Sequence, residues 1–394
     1  MIRTGADLLL DTGDGLDLIR GRRWALLCHG ASVDSRGRPI FDRAVADHST
    51  RPSMLLVPEH GLFGEQIYME PVPDSVDPRL GIPVVSLYGS NAESLAPAPG
   101  VLDGLDLVVC DLQDVGSRYY TYLATMAMTQ AACARLGIAF VVLDRPNPIG
   151  GLAVEGNLPD PQLRSFVSWL PLANRHGMTA GEVARLHASK AALDGELHVL
   201  RCEGLLRRYL WSDTGLPFVP PSPNIPTWET ALVYPGMCLL EGTNLSEGRG
   251  TTTPFHVFGA PWIRDPWALV AALDSESVPG TAWRPTFFKP ILDKWSGERC
   301  GGAQLLVTDV HAFRPLHAGM AIVAAAARMH PESFALRTDA YEFVDDRLAL
   351  DLLLGDSALR RLLLEGAPVR DLVASLDVPA REFRRDRAEF LLYD

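Results

Sequence analysis

The feature that most constrains this chain is a unit repeated through its N-terminal half: a short, nearly unbroken run of β-branched and aliphatic residues, followed by a polar cluster rich in glycine and proline. The runs are Trp24–Cys28, Met54–Val57, Val84–Leu87, Leu107–Cys110 and Ile138–Leu143. Each is too short for a helix, and continuous apolar character marks strands of a parallel sheet covered on both faces. Parallel strands need crossovers, and the Ala/Met/Leu-rich stretch Tyr119–Leu136, ended by Gly137 in the C-cap position, reads as a crossover helix. The predicted class is therefore α/β, with a doubly wound, mostly parallel sheet. In such sheets ligands bind outside the carboxyl ends of the strands. The clusters His29-Gly30, Pro58-Glu59-His60-Gly61, Tyr88-Gly89, Asp111-Leu112-Gln113-Asp114 and Asp144-Arg145-Pro146-Asn147-Pro148 are expected to converge on one cleft there.

A chain of 394 residues, 47% hydrophobic and 21% charged, is long enough for two cores. Between Trp211 and Pro235, prolines at 217, 220, 221, 223, 226 and 235 predict neither helix nor central strand. A boundary placed here divides the chain into 1–228 and 229–394. The polar, Gly-rich stretch Glu241–Pro254 that follows is expected to complete the cleft from the other side. The remainder combines a strand-like Ala303–Val307 with helical stretches Met320–Met329, Leu348–Leu364 and Val369–Leu376, a smaller α+β domain.

Composition removes several functional classes. The net charge of −12 is spread without basic blocks, which argues against nucleic acid as a partner. An anionic substrate group would need a local Arg or Lys set against this field. Asp7, Asp11, Asp14 and Asp17 interrupt any signal-peptide core in the first thirty residues, so the expected location is the cytoplasm. No stretch approaches the roughly 20 apolar residues of a membrane span, and no membrane role is expected. The six cysteines are far apart and lack a C-x-x-C pair, as expected of buried thiols in a reducing compartment. H-E-x-x-H, G-x-S-x-G and P-loop motifs are absent, and Gly13-Asp14-Gly15 lacks the third glycine and precedes the first strand. No cofactor and no metal are expected.

The chemistry then falls to carboxyl groups in the clusters. Glu59, just past the Met54–Val57 run, is aimed at the cleft mouth by Pro58; burial there would keep it protonated near neutral pH, as a general acid requires. It could instead cap a helix or pair with an arginine. Asp111 ends a strand, whereas Asp114 could be an N-cap or a functional acid, and Arg118 beyond them could bind a carboxylate with its planar fork. Glu155 and Glu247 have glycine neighbours that allow close approach to a ligand. Thr179 and Glu182 read as a capping box, which leaves Arg175 and His176 for a ligand. His29, His60, Asp111, Asp114 and His176 could also ligate zinc in a metal-dependent hydrolase, and a non-catalytic binding protein could use the same cleft.

Seven motifs occur in order: Pro58-Glu-His-Gly-Leu-Phe-Gly64, Asp111-Leu-Gln-Asp-Val-Gly-Ser-Arg-Tyr-Tyr-Thr-Tyr122, Asp144-Arg-Pro-Asn-Pro-Ile-Gly-Gly151, Val154-Glu-Gly156, Arg175-His-Gly-Met-Thr179, Pro221-Ser-Pro-Asn-Ile-Pro226 and Glu241-Gly-Thr-Asn-Leu-Ser-Glu-Gly-Arg-Gly250. Together with the C-terminal Phe390-Leu-Leu-Tyr393, they resemble the exo-β-N-acetylmuramidases, glycoside hydrolase family 171. The resemblance implies a Rossmann-like domain with a smaller domain packed on it. It also implies cofactor-free release of non-reducing-end N-acetylmuramic acid from peptidoglycan fragments. Its catalytic glutamate maps to Glu59, and its other acidic positions map to Asp114, Glu155 and Glu247, the second catalytic group among them being open. Substrate contacts are expected from His60, Asp111, Arg118, Tyr119, Asn147, Arg175, His176, Asn224, Asn244 and Arg249, with Arg118 or Arg175 taking the lactyl carboxylate of the sugar. Two places depart from the pattern: Leu172-Ala-Asn174 before Arg175, and Asn157 where proline is common.

Overall fold

The computed structural model describes residues 2–394. Seven strands, β1 (Trp24–Cys28), β2 (Met54–Val57), β3 (Ser75–Asp77), β4 (Ile82–Ser86), β5 (Leu107–Asp111), β6 (Ala139–Leu143) and β7 (Leu197–Leu200), form one sheet in the order β3-β4-β2-β1-β5-β6-β7. All neighbours are parallel except β3, which runs antiparallel to β4. The five apolar runs are strands, with shifts of one or two residues at some ends. β3 and β7 carried no comparable signal: the first is three residues long and mostly exposed, the second half-buried at an edge.

From β1 the chain proceeds outward to β2 and β4, then crosses to β5, β6 and β7 on the other side. The direction of winding reverses between β1 and β5, which opens a crevice at their carboxyl ends. His29 leaves β1 into that crevice, and its Nε2 accepts the Gln113 N–H at 3.0 Å. The Tyr122–Leu136 helix crosses from β5 to β6 and ends on Gly137 at φ +68°, the left-handed cap expected of it. It starts later than its sequence reading, because residues 117–121 form the turn that enters it.

The C-terminal region holds a three-stranded antiparallel sheet of β8 (Val257–Ala260), β9 (Thr281–Phe288) and β10 (Cys300–Val307), in the order β8-β10-β9. The helix at Pro315–Met329 begins five residues before the stretch expected. The single helical stretch expected over Leu348–Leu364 is two helices, Ala349–Leu354 and Ser357–Leu364: Gly355 at φ +70° ends the first and the Asp356 carboxylate caps the second. The helix Val369–Ser375 follows.

The proline-rich stretch corrects an expectation. It contains a short helix at Trp211–Thr214, and Pro235 lies inside the helix Trp228–Met237. Pro235 sits in the last turn, where its missing N–H costs one hydrogen bond, and tertiary packing outweighs that loss. Gly236 and Gly319 meet where this helix crosses Pro315–Met329: a Cβ on Gly236 would overlap the Pro315 carbonyl, and one on Gly319 the Gly236 carbonyl. Residue 228 opens this helix, and one apolar core runs across the crossing, from Leu27, Cys110 and Met126 to Leu232, Phe258, Ile322 and Leu353. Among the described residues, no helix is long and apolar enough to cross a membrane.

Candidate active site

The carboxyl end of β2 leads through Pro58 into Glu59, after which His60 and Gly61 adopt φ of +71° and +75°. Two successive left-handed residues reverse the chain sharply and leave Glu59 facing inward, 4% exposed. Its Oε1 accepts the Met69 N–H at 3.1 Å and its Oε2 accepts the Thr121 hydroxyl at 2.8 Å. Thr121 holds the N-cap position of the Tyr122–Leu136 helix without capping it; its hydroxyl is spent on Glu59 instead. The Tyr122 hydroxyl ties the Glu59 carbonyl to the Pro221 carbonyl at 3.2 and 2.8 Å, so the proline-rich loop is clamped beside the glutamate.

Glu59 borders a small pocket of about 30 Å³. His60, Tyr119, Tyr120, Ser222 and Asn224 line it from the N-terminal region; Tyr234, Glu241, Arg249, Phe255, Tyr341 and Glu342 line it from the C-terminal region. On that second wall Arg249 lies between carboxylates, with Nη2 2.9 Å from Glu241 and Nη1 2.9 Å from Glu247. Its guanidinium stacks on Tyr68 at 4.0 Å and Phe255 at 5.1 Å, while its Nε is buried without a hydrogen-bond partner among the described residues. Lys294 closes the network at 2.9 Å from Glu247. Burial opposes the Glu247 charge, but Lys294 and Arg249 overcome it and bring that carboxyl down to about 2.

Glu342 stands opposite to this in character. It is 5% exposed, accepts the Tyr88 hydroxyl at 3.0 Å, and is pushed well above the carboxylate range by burial and by the charge of Glu59. Neither Glu59 nor Glu342 is in an ion pair among the described residues.

Of the residues singled out in the sequence, the structure gathers Glu59, His60, Tyr119, Asn224 and Arg249 at this pocket. Glu247 stands behind Arg249. Others are not brought to this pocket and bond to the framework. Arg118 gives its guanidinium to the carbonyls of Asn157, Leu172 and Leu353, which joins three separated segments and leaves no fork for a carboxylate. Arg175 pairs with Glu155 and donates to the Ile149 carbonyl, both at 2.9 Å, and Glu155 faces a different pocket, beside Arg314 and His317. Asp111 is locked by Arg145 and Asn147 builds the turn to Ile149. Asn244 pins the backbone at Ser333 and Ala335. Asp114 caps no helix: its Oδ2 accepts the Gly116 N–H at 2.6 Å and meets His176 Nε2 at 3.2 Å.

The five groups that could have held zinc do not converge. His29 Nε2 accepts from Gln113, His176 Nδ1 accepts from Met178, and among the described residues no three metal-binding side chains form a group. The two departures from the family pattern do meet: the Asn157 N–H donates to Asn174 Oδ1 at 3.1 Å, which proline could not do, and Asn174 Nδ2 donates to the Tyr119 hydroxyl at 3.0 Å. Tyr88 and Glu241 lay in stretches expected at the cleft but were given no role of their own; Glu342 was not singled out, and no glycine or asparagine marked its turn.

A doubly wound sheet whose strand ends open on a pocket of buried carboxyls and aromatic rings offers the groups that glycoside hydrolysis uses. The chain belongs to the exo-β-N-acetylmuramidase NamZ family: the N-terminal family model matches residues 24–229 and the C-terminal one residues 232–393. It is 37% identical over 392 residues to the peptidoglycan β-N-acetylmuramidase NamZ of Bacillus subtilis, covering 100% of this chain and 91% of that protein. A crystal structure of a DUF1343 family protein from Bacteroides fragilis, 30% identical, superposes with a TM-score of 0.87 over 100% of this chain and 99% of the other. A second such protein from that organism, 24% identical with a TM-score of 0.76 over the same shares, has the same fold.

Proposed function

We propose that this chain, an exo-β-N-acetylmuramidase by family, releases N-acetylmuramic acid from the non-reducing end of peptidoglycan fragments with Glu59 as the proton donor. The observation that carries the assignment of Glu59 is its position: a buried carboxyl just past β2, on the crevice beside β1, held by two donors and bordering the pocket. In the reaction, Glu59 gives its proton to the glycosidic oxygen as the bond to the sugar carbon breaks, and the bonding pair stays on that oxygen. Water then supplies the new oxygen on the sugar carbon.

Arg249 takes the place expected of Arg118 or Arg175. It is the guanidinium that reaches the pocket, and its unpartnered Nε is a donor for the lactyl carboxylate that distinguishes muramic acid from glucosamine. Tyr119, Tyr120 and Tyr234 offer ring faces and hydroxyls to the sugar. The setting we favour is turnover of imported fragments in a reducing compartment, supported by six cysteines that are all buried as free thiols.

The test is hydrolysis of a chromogenic β-N-acetylmuraminide beside the matching β-N-acetylglucosaminide, with and without EDTA. Release from the muraminide alone, indifferent to EDTA and lowered about 10²–10⁴-fold in kcat by Glu59→Gln, is expected. Near wild-type turnover in Glu59→Gln would remove Glu59 from the role, and EDTA-sensitive release would transfer the chemistry to a metal.

A further inference from the structure

We propose that Arg337 is a positioning residue for the hydrolysis: it latches the loop 61–72 across the cleft as a lid, which sets Met69 against Glu59 and Tyr68 against Arg249. The proposal rests on the saccharide reading of this pocket and on Glu59 as its proton donor. A volume of about 30 Å³ has room for a water molecule. Sites for small ligands run to about 300–1,000 Å³, so a sugar ring with an acetamido and a lactyl arm cannot enter until one wall moves. The structure is the closed form of a site that has to open.

The walls differ in how they are held. On the C-terminal side, Glu241 and Glu247 are paired with Arg249, and the Tyr341 hydroxyl donates to Glu241 at 2.8 Å. Tyr341 begins a tight hairpin, 341–344, in which its N–H donates to the Val344 carbonyl at 2.8 Å and the Val344 N–H donates back at 3.0 Å. The central residues, Glu342 and Phe343, have φ of +48° and +65°, and side chains persist in that strained region only where the surroundings impose it. The loop 61–72 is built differently. Leu62 and Val72 anchor its ends in the core, but residues 63–71 are all half-buried or exposed, and their backbone is a series of turns. The Glu70 carboxylate accepts the Ile67 N–H at 3.1 Å, a bond internal to the loop that moves with it. Sparse burial of this kind marks the part of a structure that opens at least cost.

One cation from the opposite wall engages the tip of that loop. Arg337 Nη1 donates to the Tyr68 hydroxyl at 3.2 Å and Nη2 to the Met69 sulfur at 3.7 Å. Arg337 is itself tied to the C-terminal wall: its backbone N–H donates to the Gly242 carbonyl at 3.0 Å, Nη2 also donates to the Ala340 carbonyl at 3.2 Å, and its guanidinium lies over the Tyr341 ring at 5.2 Å. Closed in this way, the tip brings two groups to the chemistry. The Met69 N–H reaches Glu59 Oε1 at 3.1 Å, and the Tyr68 ring lies against the Arg249 guanidinium at 4.0 Å. Met69 holds φ of +61° to do so, a costly conformation for a methionine, and the latch on its sulfur and on the neighbouring hydroxyl offsets that cost. A long hydrogen bond and a contact to sulfur are weak enough to break in every turnover, as a lid requires.

Arg337→Met removes the latch and keeps an unbranched side chain; Arg337→Lys keeps a donor for Tyr68. With enzyme in excess over a chromogenic β-N-acetylmuraminide, product release does not enter the rate. The single-turnover rate is then expected to fall about tenfold in Arg337→Met, the effect of one hydrogen bond to a charged group. Arg337→Lys should recover most of that loss, and unfolding midpoints should stay at wild type. A wild-type rate in Arg337→Met, or a loss that Arg337→Lys does not recover, would overturn the proposal. Hydrogen–deuterium exchange of the wild-type protein gives a second reading that does not depend on a variant folding. Amides of residues 63–71 should exchange faster than those of β2 and slow when N-acetylmuramic acid is added. Exchange indifferent to the sugar, in an enzyme that hydrolyses the muraminide, would sink the lid. Activity surviving in Glu59→Gln would refute the donor assignment; an inactive Glu59→Gln beside an unimpaired Arg337→Met would refute this proposal alone.

Discussion

Four buried glutamates stand at or behind one pocket, and they divide into two pairs of opposite electrostatic design. Glu241 and Glu247 share Arg249, and Glu247 also has Lys294, each contact at 2.9 Å. Lys294 and Arg249 hold the Glu247 carboxyl below its ordinary value, and the ion pairs fix this wall. Glu59 and Glu342 have only an amide N–H and two hydroxyl groups as hydrogen-bond partners, and no cation among the described residues. The same residue type thus stands beside a guanidinium in one pair and beside only amide and hydroxyl donors in the other. Burial alone does not separate the pairs, since all four are nearly inaccessible; the neighbouring charges do.

Replacing members of each pair should break this contrast in different observables. The largest effect is expected from Glu59→Gln, a kcat loss of about 10²–10⁴-fold with unfolding midpoints close to wild type, because the amide keeps the Thr121 and Met69 contacts in place. Arg249→Met should act on the other pair: it leaves Glu241 buried without its cation and Glu247 with only Lys294, a destabilisation of about 3–5 kcal/mol in urea unfolding. If it still folds, discrimination between muraminide and glucosaminide should fall. Retained discrimination would show that Arg249 is structural only.

The pH dependence of stability should follow Glu247. Its folded-state carboxyl lies below its ordinary value, at about 2. The stabilisation is therefore present above about pH 4.5 and is lost as the pH falls toward 2, roughly 3 kcal/mol in all. Lys294→Met should lower stability at neutral pH and flatten that acid limb, which urea titrations between pH 7 and 3 would show. The smallest effect is expected from Asn157→Pro, which removes the N–H donated to Asn174 behind Tyr119. About 1 kcal/mol of stability should be lost, read as a lower Tm, with kcat changed only a few-fold.

The central sheet was legible because β1, β2, β5 and β6 are buried on both faces and β4 on one, so their apolar runs stand out from the polar turns between them. β7, half-buried at the edge, and β3, three residues long, lack that contrast. Pro235 misled for a different reason: propensity describes an isolated helix, whereas this one is held by a glycine-to-glycine crossing with a helix some 80 residues away in the chain. Glu59 could be singled out because a strand run and a proline set it at the carboxyl end of the sheet. That Arg118 and Arg175 bond backbone carbonyls and Glu155 was not legible, because a sequence does not reveal which partners a guanidinium will find.

Glu342 marks where sequence reasoning ended. Its turn has no glycine or asparagine, it lies in no motif, and it reaches the pocket only because Tyr88 and Tyr341 hold a strained hairpin over it. Local patterning by itself determined the class of fold and pointed to the carboxyl ends of the strands and to Glu59 as candidates, because strand burial and turn chemistry are short-range properties. Which arginine reaches the pocket, which carboxyls are neutralised and which second glutamate faces Glu59 were decided only by tertiary structure, because electrostatics depends on distances between residues that the chain itself keeps far apart.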